Sequence, residues 1–75
     1  MWIWVARWLV RPGREEAVRQ AAENVRWHWQ EVSLDVGFDP ARNVTVAESD
    51  KEIRVGVSEE LDATFREEPG EWRYY

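Results

Sequence analysis

Three of the chain's six tryptophans, Trp2, Trp4 and Trp8, fall within its first ten residues. Where those rings point constrains everything else. A chain of 75 residues buries only about 60% of the surface its unfolded form exposes, and one Trp can bury on the order of 150–250 Å². From Trp2 to Arg11 the residues alternate in two sets, Trp2, Trp4, Ala6, Trp8 and Val10 against Ile3, Val5, Arg7, Leu9 and Arg11, which is the period of a β-strand. Both sets are largely apolar, so the strand is expected in the interior of a sheet. Pro12-Gly13 ends it.

The period changes after Arg14. Val18, Ala21, Ala22, Val25 and Trp29 share one helical stripe, while Arg14, Glu15, Arg19, Gln20, Glu23 and Arg26 lie away from its centre. Glu15 and Glu16 favour a helix start through the helix dipole. A helix over about 13–30 is predicted, with Trp27 roughly opposite the stripe. Beyond Glu31, alternation of Val32, Leu34, Val36 and Phe38 with Glu31, Ser33 and Asp35 predicts a strand, and Asp39-Pro40-Ala41-Arg42-Asn43 a turn. Strands at Val44–Val46 and Ile53–Val57, separated by Ser49-Asp50-Lys51, complete an antiparallel meander with one buried and one wet face. Ser58-Glu59-Glu60-Leu61 predicts a capped short helix. The alternation of Leu61, Ala63 and Phe65 leaves a hairpin open as the other reading. Glu71–Tyr75 is predicted as a terminal strand in either case.

The expected fold is a single α+β domain over residues 1–75, an antiparallel sheet with one main helix packed on one face in the order β-α-β-β-β-(short α)-β, ferredoxin-like. A single helix wrapped by a curved antiparallel meander, cystatin- or dodecin-like, is the alternative. Small residues on the helix stripe call for large partners opposite, which places Trp2, Trp4 and Trp8 in the core against Ala17, Val18, Ala21, Ala22 and Val25. A ligand pocket or a self-association surface is the other use of those rings.

Composition narrows the function classes. Fifteen acidic and ten basic residues give a net charge of −5, which repels a phosphate backbone and argues against nucleic acid as a partner. The chain has no cysteine, so thiolate chemistry and disulfides are excluded. The apolar opening is too short for a bilayer span and lacks the marks of a signal peptide, so no membrane partner and a cytoplasmic location are expected. The nine arginines and one lysine are what either a GC-rich genome or a computational designer produces.

Individual residues offer little chemistry. His28 lies between Trp27 and Trp29; the trio is the candidate ligand-binding set, and proton transfer or haem ligation would fall to the histidine. His28 has no second ligand at metal spacing, and a boundary residue on the stripe is the alternative. The pairs Glu15-Glu16, Glu59-Glu60 and Glu67-Glu68 read as solvated caps, since adjacent helical residues do not face each other. No catalytic set, no metal site and no cofactor are expected.

The run Val5-Ala6-Arg7-Trp8-Leu9-Val10-Arg11-Pro12-Gly13-Arg14-Glu15-Glu16, with Asp39-Pro40, Val44-Thr45-Val46-Ala47-Glu48 and Ser58-Glu59-Glu60-Leu61-Asp62-Ala63, resembles the antibiotic-biosynthesis-monooxygenase type of dimeric α+β barrel. That resemblance implies a ferredoxin-like fold, sheet-to-sheet homodimers, and a cofactor-independent oxygenase acting on an aromatic substrate between sheet and helix. No position here carries the family's catalytic residues. In topology and length the chain is also similar to the dodecin type of flavin-binding protein, which stacks tryptophan on its planar ligand. The functional expectation is a non-catalytic, stably folded domain with a tryptophan-rich core, designed or natural. The monooxygenase-like enzyme and a small binding module for a planar ligand or protein partner are the alternatives.

Overall fold

A computed structural model describes residues 1–67, so the predicted terminal strand Glu71–Tyr75 lies outside the described residues. Strand β1 (Trp2–Leu9) leads into helix α1 (Glu15–Asp35), a short helix α2 (Pro40–Asn43), strands β2 (Val44–Glu48) and β3 (Glu52–Ser58), and helix α3 (Glu59–Glu67). The three strands form one antiparallel sheet in the order β1-β3-β2. The expected α+β class, with a main helix against one face of an antiparallel sheet, is what forms.

One expectation is corrected. Residues 32–38 are not a strand, because α1 runs on to Asp35. Val25, Trp29, Val32 and Val36 continue the helical stripe as readily as Val32, Leu34, Val36 and Phe38 make a strand, and Gly37 decides between them. At φ +84° it adopts the left-handed conformation that ends helices: its N–H donates to the Leu34 carbonyl at 3.0 Å and that of Phe38 to the Ser33 carbonyl at 2.8 Å, the paired bonds of a Schellman stop. The buried Ser33 hydroxyl adds a bond to the Phe38 carbonyl at 3.1 Å. The connection is therefore helical, and only β2 and β3 are a hairpin. Among the described residues β3 is the centre of the sheet, and β1 pairs along one side with it.

At the start of α1, Gly13 (φ +83°) turns the chain and its N–H donates to the Glu15 carboxylate at 3.2 Å. Backbone N–H bonds, first from Glu15 itself and then from Gly13, hold that carboxyl below its usual range. Helix α3 starts as predicted. The Ser58 hydroxyl accepts the Leu61 N–H at 3.0 Å and donates to the Asn43 side-chain oxygen at 2.7 Å, while Asn43 donates to the Asp39 carbonyl at 2.7 Å. One hydroxyl thus caps α3 and ties it to the end of α2.

The core lies between the sheet's inner face and the helices. Ile53, Val55 and Val57 of β3, Val44 of β2, Ala22 and Trp29 of α1 and Leu61 of α3 are its buried residues, each large aliphatic contributing about 1.5–3 kcal/mol. Trp29, 9% exposed, packs its ring 4.9 Å from that of Phe65. The one ring among the buried core residues therefore comes from the helix, with Trp8 of β1 partly buried against the core.

Candidate functional site

The alternation of β1 does not survive its full length. The register pairs Trp4 with Gly56 and Ala6 with Val55, leaving Val5 as an extra residue between them, so Val5 and Ala6 together oppose Val55 in a β-bulge. Ahead of the bulge Ile3 faces inward and Trp2 and Trp4 outward. After it Ala6 and Trp8 face inward, and Arg7 and Leu9 outward. Trp8 reaches the core as expected; Trp2 and Trp4 do not. Ile3 and Val5, expected on the wet side, pack on the core instead.

What results is an open sheet face with an organised centre. Trp4, 40% exposed, packs the Cε3–Cζ3 edge of its ring against Gly56, where a Cβ would stand 2.8 Å from Cε3 and 2.9 Å from Cζ3. Glycine at 56 is the space in which that ring rests. The Arg54 guanidinium covers the ring at 4.2 Å from its centroid, a cation–π contact. Arg54 also meets Glu52 at 3.3 Å, and Glu52 meets Arg7 at 2.6 Å. Trp2, Leu9, Thr45 and Ala47 flank this centre. Pattern reading missed the face because a bulge between two apolar residues leaves no mark; Gly56 beside Arg54 in a valine strand was the available signal, since an interior-strand glycine marks a close approach.

Trp27, His28 and Trp29 are not brought together. Successive helical residues point about 100° apart, so Trp29 enters the core while Trp27, 63% exposed, stands on the solvent side of α1. His28 lies half-buried between them, its ring edge-on to Trp29 at 5.9 Å. Trp27 instead lines a shallow groove of about 380 Å³ with Gln30, Glu31 and Leu34 of α1 and Asp39, Pro40 and Ala41 at α2.

A second cleft, of about 200 Å³, lies between Val10, Glu15 and Arg19 on one side and Glu48, Ser49, Asp50 and Ile53 on the other. Arg19 and Glu48 bridge it at 2.7 Å, and this bond to Glu48 raises the arginine's pKa further above its ordinary value. Among the described residues no His, Cys, Asp or Glu cluster has the makings of a metal site, and no helix is long and apolar enough to cross a membrane. Comparison with protein-family models, with curated proteins and with solved structures finds no match for this chain.

Proposed function

We propose that the chain is a non-catalytic, stably packed α+β domain that acts by association, and that its open sheet face is where two copies meet. The single observation that carries this is Trp4, a large, partly exposed ring seated against Gly56 on a face that the described helices leave uncovered. An exposed aromatic cluster on one side of a small domain is an interaction signal, whereas scattered apolar residues are not.

The dimensions suit a second copy. Eight residues of β1 span roughly 26 Å and three strands roughly 14 Å; with side-chain relief this exposes on the order of 600–800 Å² per copy, at the lower end of a standard interface. A face carrying both Arg7 and Glu52 is also self-complementary about a two-fold axis. The family resemblance, which implies sheet-to-sheet pairing, agrees, as does the order β1-β3-β2 followed by a helix, the arrangement of a ferredoxin-like chain up to its last strand.

The enzyme alternative needs space between sheet and helix, and Trp29, Val55, Val57 and Leu61 occupy that space. Sedimentation velocity from about 1 to 100 μM, the range in which interfaces of this size associate, tests the dimer. The wild type is expected to dimerise and Trp4→Glu to be monomeric, while Trp27→Glu, on the far side of α1, dimerises normally. A wild type that stays monomeric throughout sinks the reading.

A further inference from the structure

The groove beside Trp27 is a separate surface, on the solvent side of α1 and away from the sheet. We propose that it docks a basic segment of a partner polypeptide, with an arginine side chain laid on the Trp27 ring and an apolar neighbour against Leu34 and Pro40.

Its walls set this chemistry. Trp27 and Leu34 are each 63% exposed, one helix face presents both with Glu31 between them, and Pro40 and Ala41 form the opposite wall. The lining carries two carboxylates, Glu31 and Asp39, and no cation. An aromatic face flanked by carboxylates recognises a guanidinium through ring and ion pair together. The chain already makes that contact once, where Arg54 covers Trp4 and pairs with Glu52; at Trp27 the ring and the acids are present and the arginine has to come from outside. A free small molecule is the poorer occupant, since sites for such ligands enclose about 70–90% of their surface and these walls stay open. A peptide brings its own backbone and neighbouring side chain to cover Leu34 and Pro40.

The Trp27 indole N–H resonance, identified by its loss in Trp27→Phe, supplies the readout. The probe is the N-acetylated, C-amidated tripeptide leucine-arginine-leucine; the comparisons are the same peptide with neutral citrulline, and ethylguanidinium. The arginine peptide is expected to move the Trp27 signal saturably with a Kd of about 5 mM or tighter, a modest affinity for so shallow a groove. Citrulline should weaken binding about fivefold, as should Glu31→Gln combined with Asp39→Asn, because each removes the charge term. Asn at 39 retains the cap that the Asp39 carboxylate provides to Ala41 at 3.0 Å, so the double variant keeps the groove's shape. No saturable movement overturns the proposal. So does equal binding of the citrulline peptide, undiminished binding by the double variant, or ethylguanidinium binding as tightly as the peptide, which would make this a site for small cations.

Discussion

The two faces of this sheet use the same residue type for opposite ends. Beneath the helices, the inner face of β3 is aliphatic, and the one large ring set deep against it, Trp29, arrives from α1. On the open side the ring belongs to the sheet itself, and Trp4 is accommodated by a missing side chain at Gly56 rather than by packed neighbours above it. A tryptophan seated on a glycine and covered by a single arginine still leaves 40% of its surface open. The switch between the two uses is the bulge at Val5, which lets β1 contribute Ile3, Val5, Ala6 and Trp8 to the core while keeping Trp2 and Trp4 outside.

If Trp29 is the ring that fills the core, the largest effect of any single truncation should be found there. Trp29→Ala is expected to cost about 3–5 kcal/mol, measured by urea unfolding, against about 2.5 kcal/mol for Trp4→Ala, whose ring is already partly solvated. Equal costs for the two would erase the contrast between the faces.

The role of the bulge can be isolated by deleting Val5. Without it, strict alternation from Ile3 through Trp4, Ala6, Arg7 and Trp8 places each of those side chains on the face it already occupies, so the deletion should leave the fold intact. The expected loss is about 2 kcal/mol, the contribution of one half-buried valine, with Trp4 still shifted by the Arg54 contact in an NMR spectrum. A variant in which Trp8 becomes solvent-exposed, judged by iodide quenching, would show that Val5 is not the residue the bulge absorbs.

Much of this arrangement is legible in the sequence. The β2–β3 hairpin followed from the turn chemistry of Ser49-Asp50-Lys51, whose Ser49 bonds back to Glu52 at 2.9 Å through the backbone, and the start of α3 from Ser58 and its acidic first turn. The end of α1 was ambiguous because Val32 and Val36 satisfy periods of 2 and 3.6 alike, and only the glycine after Val36 separates them. The outward turn of Trp2 and Trp4 was hidden for a different reason. A bulge is a property of pairing with β3, and with apolar residues on both sides of Val5 the strand's own pattern looks unbroken. Of the candidate trio, helix geometry alone forbids convergence, so placing it on a helix already separated Trp27 from Trp29.

Filling Gly56 should disturb the open face and leave the inner face alone. Gly56→Ala sets a methyl where the Trp4 ring lies, so the ring must lift toward solvent. Alanine's lower unfolded-state entropy returns about 0.4–1 kcal/mol, while lifting on the order of 100 Å² of ring costs about 2.5 kcal/mol. A net destabilisation of about 1–2 kcal/mol is expected, together with a red-shifted fluorescence component. Unchanged stability and emission would mean that Trp4 does not rest on the glycine.

The smallest effect separates what holds Trp4 down from what caps it. Arg54 lies over the ring at 4.2 Å and pairs with Glu52 at 3.3 Å, so the guanidinium has two attractions and both are partly open to water. Arg54→Gln removes the charge while keeping a polar, shorter side chain; it is expected to cost about 0.5–1 kcal/mol at low salt, the range of an exposed cation–π pair. The Glu52 component is an ion pair that salt screens, whereas the ring's seat on Gly56 is a packing contact that salt does not weaken. Measured by urea unfolding, the difference between wild type and variant should therefore shrink on going from about 0.05 to 1 M salt, where the Debye length falls to about 3 Å. The Gly56→Ala difference should stay constant over the same range. If both differences shrink together, the open face is held by charge, and Trp4 has no seat that distinguishes it from an ordinary surface side chain.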